Sequence, residues 1–118
     1  MSFDFNNETP IYLQIIEEIK QRIINGRYVA NQKIPSVRDL ALEFEVNPNT
    51  IVKALSELEN NGLIYTDRTN GKFVTTKLEL IKSVKNDEIN KRIDEFFHSM
   101  EQLGLDRQEI IKKLKGRE

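Results

Sequence analysis

A mainly helical fold with one small β-hairpin wing, a winged helix-turn-helix followed by a short two-helix tail, is what this 118-residue sequence predicts. Three observations carry that reading. Within residues 34–62 two short helical patterns are joined by only Glu45 and Val46, and helices crossing over so short a turn form a helix-turn-helix. Directly after Gly62 the pattern becomes extended, and Asn70-Gly71 is a strong tight-hairpin signal. From Leu80 onward apolar residues return to helical spacing.

Taken in order, residues 1–8 read as a loose arm with Phe3 and Phe5 as anchors onto the domain or a partner. Thr9-Pro10 is expected in the N-cap and first helical positions of a helix that Gly26 ends. Tyr12, Ile15, Ile16, Ile19 and Ile23 mark its buried stripe. Residues 28–33 read as a connecting turn, with Asn31 suited to left-handed backbone. Ser36 caps the next helix, with Asp39 at the capping-box position and Val37, Leu40, Ala41 and Phe44 on the apolar face. Asn47 caps the second helix of the motif and Pro48 opens it, where a missing N–H costs nothing. Ile51, Ala54, Leu55 and Leu58 form its buried stripe, and Gly62 stands just past its end. Residues 63–66 and 72–76 are strand-like, and an Asn70-Gly71 turn of the two-residue kind requires positive φ at both positions.

The polar residues of the second helix suit the major groove of DNA, which the N-terminal residues of such a helix enter. Asn47, Asn49, Thr50 and Lys53 lie off its apolar stripe in the first two turns. Asn pairs bidentately with adenine, Thr serves base or phosphate, and Lys favours phosphate or guanine. The bland alternative is that Asn47 and Thr50 only cap the helix and Lys53 is merely solvated; for Asn47 the two roles are compatible. In the wing, Arg68 and Lys72 flank the Asn70-Gly71 tip, where a long cation enters a minor groove; a plain solvated turn is the competing reading.

Charge gives this reading no help. The formal net charge is −1, and up to Thr76 eight Lys/Arg stand against ten Asp/Glu, whereas a basic footprint is the usual mark of a nucleic-acid binder. Distribution must supply what the total does not. Arg38, Lys53, Arg68 and Lys72 have to share a face from which Glu17, Glu18, Glu43, Glu57 and Glu59 are absent.

The runs Pro35-Ser36-Val37-Arg38-Asp39-Leu40-Ala41, Val46-Asn47-Pro48-Asn49-Thr50 and Leu58-Glu59-Asn60-Asn61-Gly62-Leu63-Ile64 resemble the DNA-binding domain of GntR-family bacterial transcription regulators. The Asn-Pro-Asn-Thr form and the short tail look most like the YtrA subfamily. The resemblance implies a DNA-contacting arginine at Arg38, beside Ser36, and a wing built on Arg68, Asn70, Gly71 and Lys72. Relatives often carry a basic residue, Gly and Thr where this chain has Asp67, Thr69 and Lys72. It also implies that the tail serves dimerisation, and that the target is an operator, often of the regulator's own transporter operon.

Residues 77–118 read as a separate helical tail after a DNA-binding domain of residues 1–76. Leu80, Ile81, Val84, Ile89, Ile93, Phe96, Phe97 and Met100 give one long amphipathic helix with a step near 85–88. Asp106 with Glu109 opens a short helix carrying Ile110, Ile111 and Leu114. Two such helices cannot hide all these side chains from water, so Ile89, Ile93, Phe96, Phe97, Met100, Ile110, Ile111 and Leu114 are expected at the interface of a homodimer. Folding of the tail back onto the winged helix is the alternative.

No cysteine is present, which suits a reducing cytoplasm, and no apolar run is long enough to span a membrane. The single histidine, His98, lacks a second ligand at metal spacing, so no metal and no cofactor is expected. Neither a phosphate loop nor a nucleophile elbow occurs, and no catalytic residues are nominated. The expectation is a homodimeric repressor of a double-stranded operator, with an unknown small-molecule effector left open. The competing class is a winged helix used for protein–protein contact, which the acidic balance favours.

Overall fold

The computed structural model describes residues 3–118. The elements run α1 (Ile11–Ile24), α2 (Val37–Phe44), α3 (Pro48–Asn60), β1 (Ile64–Asp67), β2 (Gly71–Val74), α4 (Leu78–Glu101) and α5 (Arg107–Lys115). This is a winged helix-turn-helix with a helical continuation. The chain forms two compact units, the first running through Lys82 and the second spanning Ser83–Glu118.

In the first unit, α1 buries Ile15, Ile16, Ile19 and Ile23, and α3 buries Ile51, Ala54, Leu55 and Leu58. The two helices pack on each other, with α2 against α3 through Leu40, Ala41 and Phe44. The start of α1 differs from expectation by one residue: Pro10, not Thr9, holds the N-cap position, with extended backbone and no side-chain cap. The Pro10 carbonyl accepts the first helical bonds from Leu13 and Gln14. Gln14 instead ties down the segment ahead of the helix, its amide donating to the carbonyls of Thr9 (2.8 Å) and Asn6 (3.0 Å). That clamps the arm, and the rings of Phe3 and Phe5 lie 5.4 and 6.4 Å from Phe44.

The caps of the motif follow their local chemistry. Ser36 Oγ accepts from Asp39 N at 3.1 Å, and Asn47 Oδ1 accepts from Asn49 N at 2.8 Å. Glu45 makes the turn between α2 and α3 in left-handed backbone, φ 57°. At the end of α3, Gly62 takes φ 82° while its N–H reaches Glu59 O and that of Leu63 reaches Leu58 O. This paired closure, with Leu58 and Leu63 both buried, sends the chain straight into β1.

Two expectations about the wing are corrected. The 28–33 segment is more than a turn: Asn31, at φ 65°, leads into a stretch that pairs with the free edge of β2. Ile34 N donates to Lys72 O, Val74 N to Gln32 O and Asn31 N to Val74 O, around a Lys33–Phe73 bridge. The hairpin tip is not a two-residue Asn70-Gly71 turn. Strand register pairs Asp67 with Gly71 across three residues, and only Gly71, at φ 106°, has positive φ. The Asp67 carboxylate dictates this, accepting from Thr69 N (3.0 Å), Thr69 Oγ1 (2.9 Å) and Asn70 N (3.3 Å). A short acid that binds the backbone two residues on imposes its own turn.

In the second unit, Asp106 and Glu109 form the complete capping box, with bonds of 2.8 and 3.0 Å. Gly104 breaks the chain between α4 and α5 at φ 91°. Arg107 lies over the Phe97 ring, 4.3 Å from its centroid. Ile110 is fully buried within the single chain, whereas Ile89, Ile93, Phe96, Ile111 and Leu114 remain 38–46% exposed. Ile110 is therefore already enclosed and leaves the set of apolar side chains still open to a second copy.

Candidate nucleic-acid interface

The burial of one α3 face fixes what the other presents. With Ile51, Ala54, Leu55 and Leu58 inward, Asn49 and Lys53 are exposed and Thr50 half-buried on the outer side of the first two turns. These three residues line a shallow notch with Ile11 and Tyr12 of α1. The Lys53 ammonium rests 3.8 Å from the centre of the Tyr12 ring. Tyr12 was expected in the buried stripe; it lies at the stripe's edge, half-buried, and faces α3.

A second concavity, an open groove of about 420 Å³, separates the wing from the start of α2. Five residues nominated from sequence line it together: Ser36, Arg68, Asn70, Gly71 and Lys72. Lys33, which sequence reasoning passed over, is the further cation on its wall. Its signal was the alternation of Lys33 outward and Ile34 inward just before Pro35, a strand period inside what looked like a turn. Arg38 and Asn47 line neither concavity; both are exposed, Arg38 in the first turn of α2 and Asn47 at the cap of α3.

The electrostatics separate the cations. Arg38 and Arg68 are exposed and form no ion pair among the described residues. Lys72 is held: its ammonium donates to Glu59 Oε1 at 2.8 Å and to Thr66 Oγ1 at 2.7 Å. That hydrogen bond from Lys72, with one from Thr66, lowers the Glu59 pKa. Asp67 is also held below its ordinary range, first by the Thr69 N–H. Of the acids that had to lie off the interface, Glu18 and Glu43 are bound to the buried Arg22, whose guanidinium also donates to Tyr28 Oη at 2.8 Å. Burial works to lower the Arg22 pKa, but the bonds it donates to Glu43, Glu18 and Tyr28 outweigh it and the net shift is upward. Glu59 departs from the required segregation, since it is paired with Lys72 of the wing.

Among the described residues, no group of three or more His, Cys, Asp or Glu side chains could hold a metal ion, and no helix is long and apolar enough to cross a membrane.

Two short helices over a tight turn, a polar outer face on the second and a hairpin with cations beside it define a winged helix-turn-helix nucleic-acid binder. The chain belongs to the gntR family of bacterial regulatory proteins, whose profile matches residues 11–74, and is a DNA-binding transcription regulator of that family. It is 35% identical over 115 residues to the HTH-type transcriptional regulator YhcF of Bacillus subtilis (strain 168), covering 98% of this chain and 95% of that protein. It is 41% identical to the HTH-type transcriptional repressor YtrA of the same organism over 64% of this chain and 58% of YtrA, a partial match. Among solved structures, a GntR family transcriptional regulator from Listeria monocytogenes superposes with a TM-score of 0.87 at 39% identity, over 95% of this chain and 98% of that one. The DNA-binding domain of AraR in complex with operator ORX1 gives a TM-score of 0.58 at 33% identity, over 64% of this chain and 95% of that one.

Proposed function

We propose that the chain acts as a homodimeric, non-catalytic repressor in the cytoplasm. In this reading Asn49, Thr50 and Lys53 of α3 read base edges in the major groove of a palindromic operator. Ser36, Arg68 and the wing tip hold the flanking backbone, and Arg38, in the first turn of α2, reaches a base edge. The observation that carries this is the notch at the start of α3, where three polar, outward residues stand on a helix whose opposite side is locked into the core. The operator-bound AraR domain and the repressor YtrA support the same direction for a chain of this fold.

Dimerisation rests on the second unit. Ile89, Ile93, Phe96, Ile111 and Leu114 are each more than a third exposed. Full burial of such a side chain is worth ~1.5–3 kcal/mol. With more than half of each already covered the remainder recovers somewhat under half of that, so it takes the set from both chains together to offset the ~4–15 kcal/mol that association costs. Phe97 and Met100, half-buried, lie beside this set on α4.

Titration of salt against duplex binding tests the DNA reading against a protein-docking role. Each phosphate neutralised contributes a slope of about −0.9 in log K against log salt, so a protein contacting several phosphates loses affinity steeply. Binding to duplex DNA that is weak and indifferent to salt contradicts the proposal and favours a protein partner for α3.

A further inference from the structure

We propose that Tyr12 of α1 is a positioning residue of the DNA-reading surface: its ring face holds the Lys53 ammonium beside Asn49 and Thr50 at the start of α3. The inference rests on the reading of α3 given above and extends the reading surface to an element outside the helix-turn-helix.

The geometry is specific. Lys53 Nζ stands 3.8 Å from the Tyr12 ring centroid, well inside the ~6 Å reach of a cation–π contact. The Tyr12 hydroxyl makes no hydrogen bond among the described residues, so it is the ring face that engages a neighbour. Ile15, Ile16 and Ile19, one and two turns further along α1, are buried in the core shared with α3. That anchorage gives the ring a fixed place relative to the notch lined by Ile11, Tyr12, Asn49, Thr50 and Lys53.

The consequence concerns Lys53. A lysine on an exposed helix surface samples many rotamers, and a contact with DNA must freeze them. Resting on the ring, the ammonium keeps its full charge and its three donors while the four-carbon stem is already confined. Unlike a carboxylate partner such as Glu59, which holds Lys72 by an ion pair, an aromatic face neutralises nothing. The site thus supplies an unspent cation at a defined place, suited to a phosphate or a guanine edge.

The test uses the full chain and a duplex selected from a random-sequence pool by the wild-type protein. Tyr12→Leu is expected to weaken binding about 2- to 5-fold, the range of an exposed cation–π contact. Tyr12→Phe, which keeps the ring and drops the hydroxyl, is expected to bind like the wild type, and circular dichroism of both variants guards against misfolding. In a Lys53→Ala background, Tyr12→Leu should cost nothing further. Equal loss in Tyr12→Phe and Tyr12→Leu would overturn the inference by assigning the effect to the hydroxyl. An undiminished loss from Tyr12→Leu without Lys53 would also overturn it. A wild-type chain that enriches no duplex, or a Lys53→Ala chain that binds it unchanged, sinks the reading of α3 instead, and the inference with it.

Discussion

At the scale of single residues, Arg22 and Arg38 show two opposite uses of a guanidinium. Arg22 is enclosed, held by Glu18 and Glu43, donating to Tyr28 and lying over the rings of Tyr28 and Phe44 at 5.6 and 5.2 Å. It ties α1 to α2 and withdraws two acids from the electrostatic balance of the domain. Arg22→Leu leaves Tyr28 Oη without its donor and two carboxylates without their cation, so a loss of ~1–3 kcal/mol of stability is expected. Urea unfolding checks this, with a lower midpoint at unchanged slope expected; an unmoved midpoint speaks against the network. Arg38 is exposed and unpaired among the described residues. Arg38→Ala should keep the unfolding midpoint but cost ~1–3 kcal/mol of specific DNA binding, measured as the ratio of affinities for a selected and a scrambled duplex. A ratio that does not move removes Arg38 from base reading.

At the scale of elements, the wing is the part most open to perturbation. Gly71 sits at φ 106°, and a Cβ there would stand 3.2 Å from Lys33 Cε. The lysine tip can yield; the backbone angle cannot be held by a β-branched residue without strain. Gly71→Val should unpair the hairpin and weaken DNA binding while helical circular dichroism stays as it was. Normal binding by that variant would mean the wing does not meet DNA. The wing also depends on ionised acids. The pKa values of Asp67 and Glu59 are both lowered in the fold. Their contribution is therefore present above the unfolded values of about 3.9 and 4.3 and is lost as pH falls through the lower folded ones. The amide resonances of Thr69 and Asn70 should then shift together in acid below about pH 4, ahead of the helical signal. Resonances that stay put while Asp67 titrates would deny its carboxylate the role of turn-former.

The same elements show what a linear chain discloses. Ser36, Asn47, Asp106 and Gly62 act within a few residues of themselves, so the bounds of α2, α3 and α5 are legible in sequence. Asn70-Gly71 carried a correct hairpin and an incorrect turn, because the deciding group, Asp67, bonds to the backbone ahead of it. The pairing of 31–34 with β2 is non-local, and the Lys33/Ile34 alternation beside Pro35 is too short to stand out as a strand period. Lys33 was missed for that reason. Tyr12 was placed in the core because its spacing matches the stripe, and periodicity says nothing about which edge of a stripe faces a cleft. Lys72 is a candidate by its charge beside the hairpin tip and by the family resemblance, neither of which discloses a partner as far along the chain as Glu59.

At the scale of the whole molecule, the question is what the second unit does with its apolar side chains. Phe96→Glu, at a side chain 39% exposed in the single chain, should leave each chain folded and yield monomers in sedimentation. An unbroken dimer would assign the interface elsewhere. If the units act as proposed, dissociation also removes the tethering that makes the second half-site contact intramolecular, an avidity of ~10²–10⁴. The measurement that bears most directly on the central claim is the sequence that the intact protein enriches from random duplex DNA. An inverted repeat, its half-sites about one helical turn apart centre to centre and bound by two chains per duplex, is the predicted result. A pool that stays random through successive rounds, or a single unrepeated site bound by one chain, would contradict it.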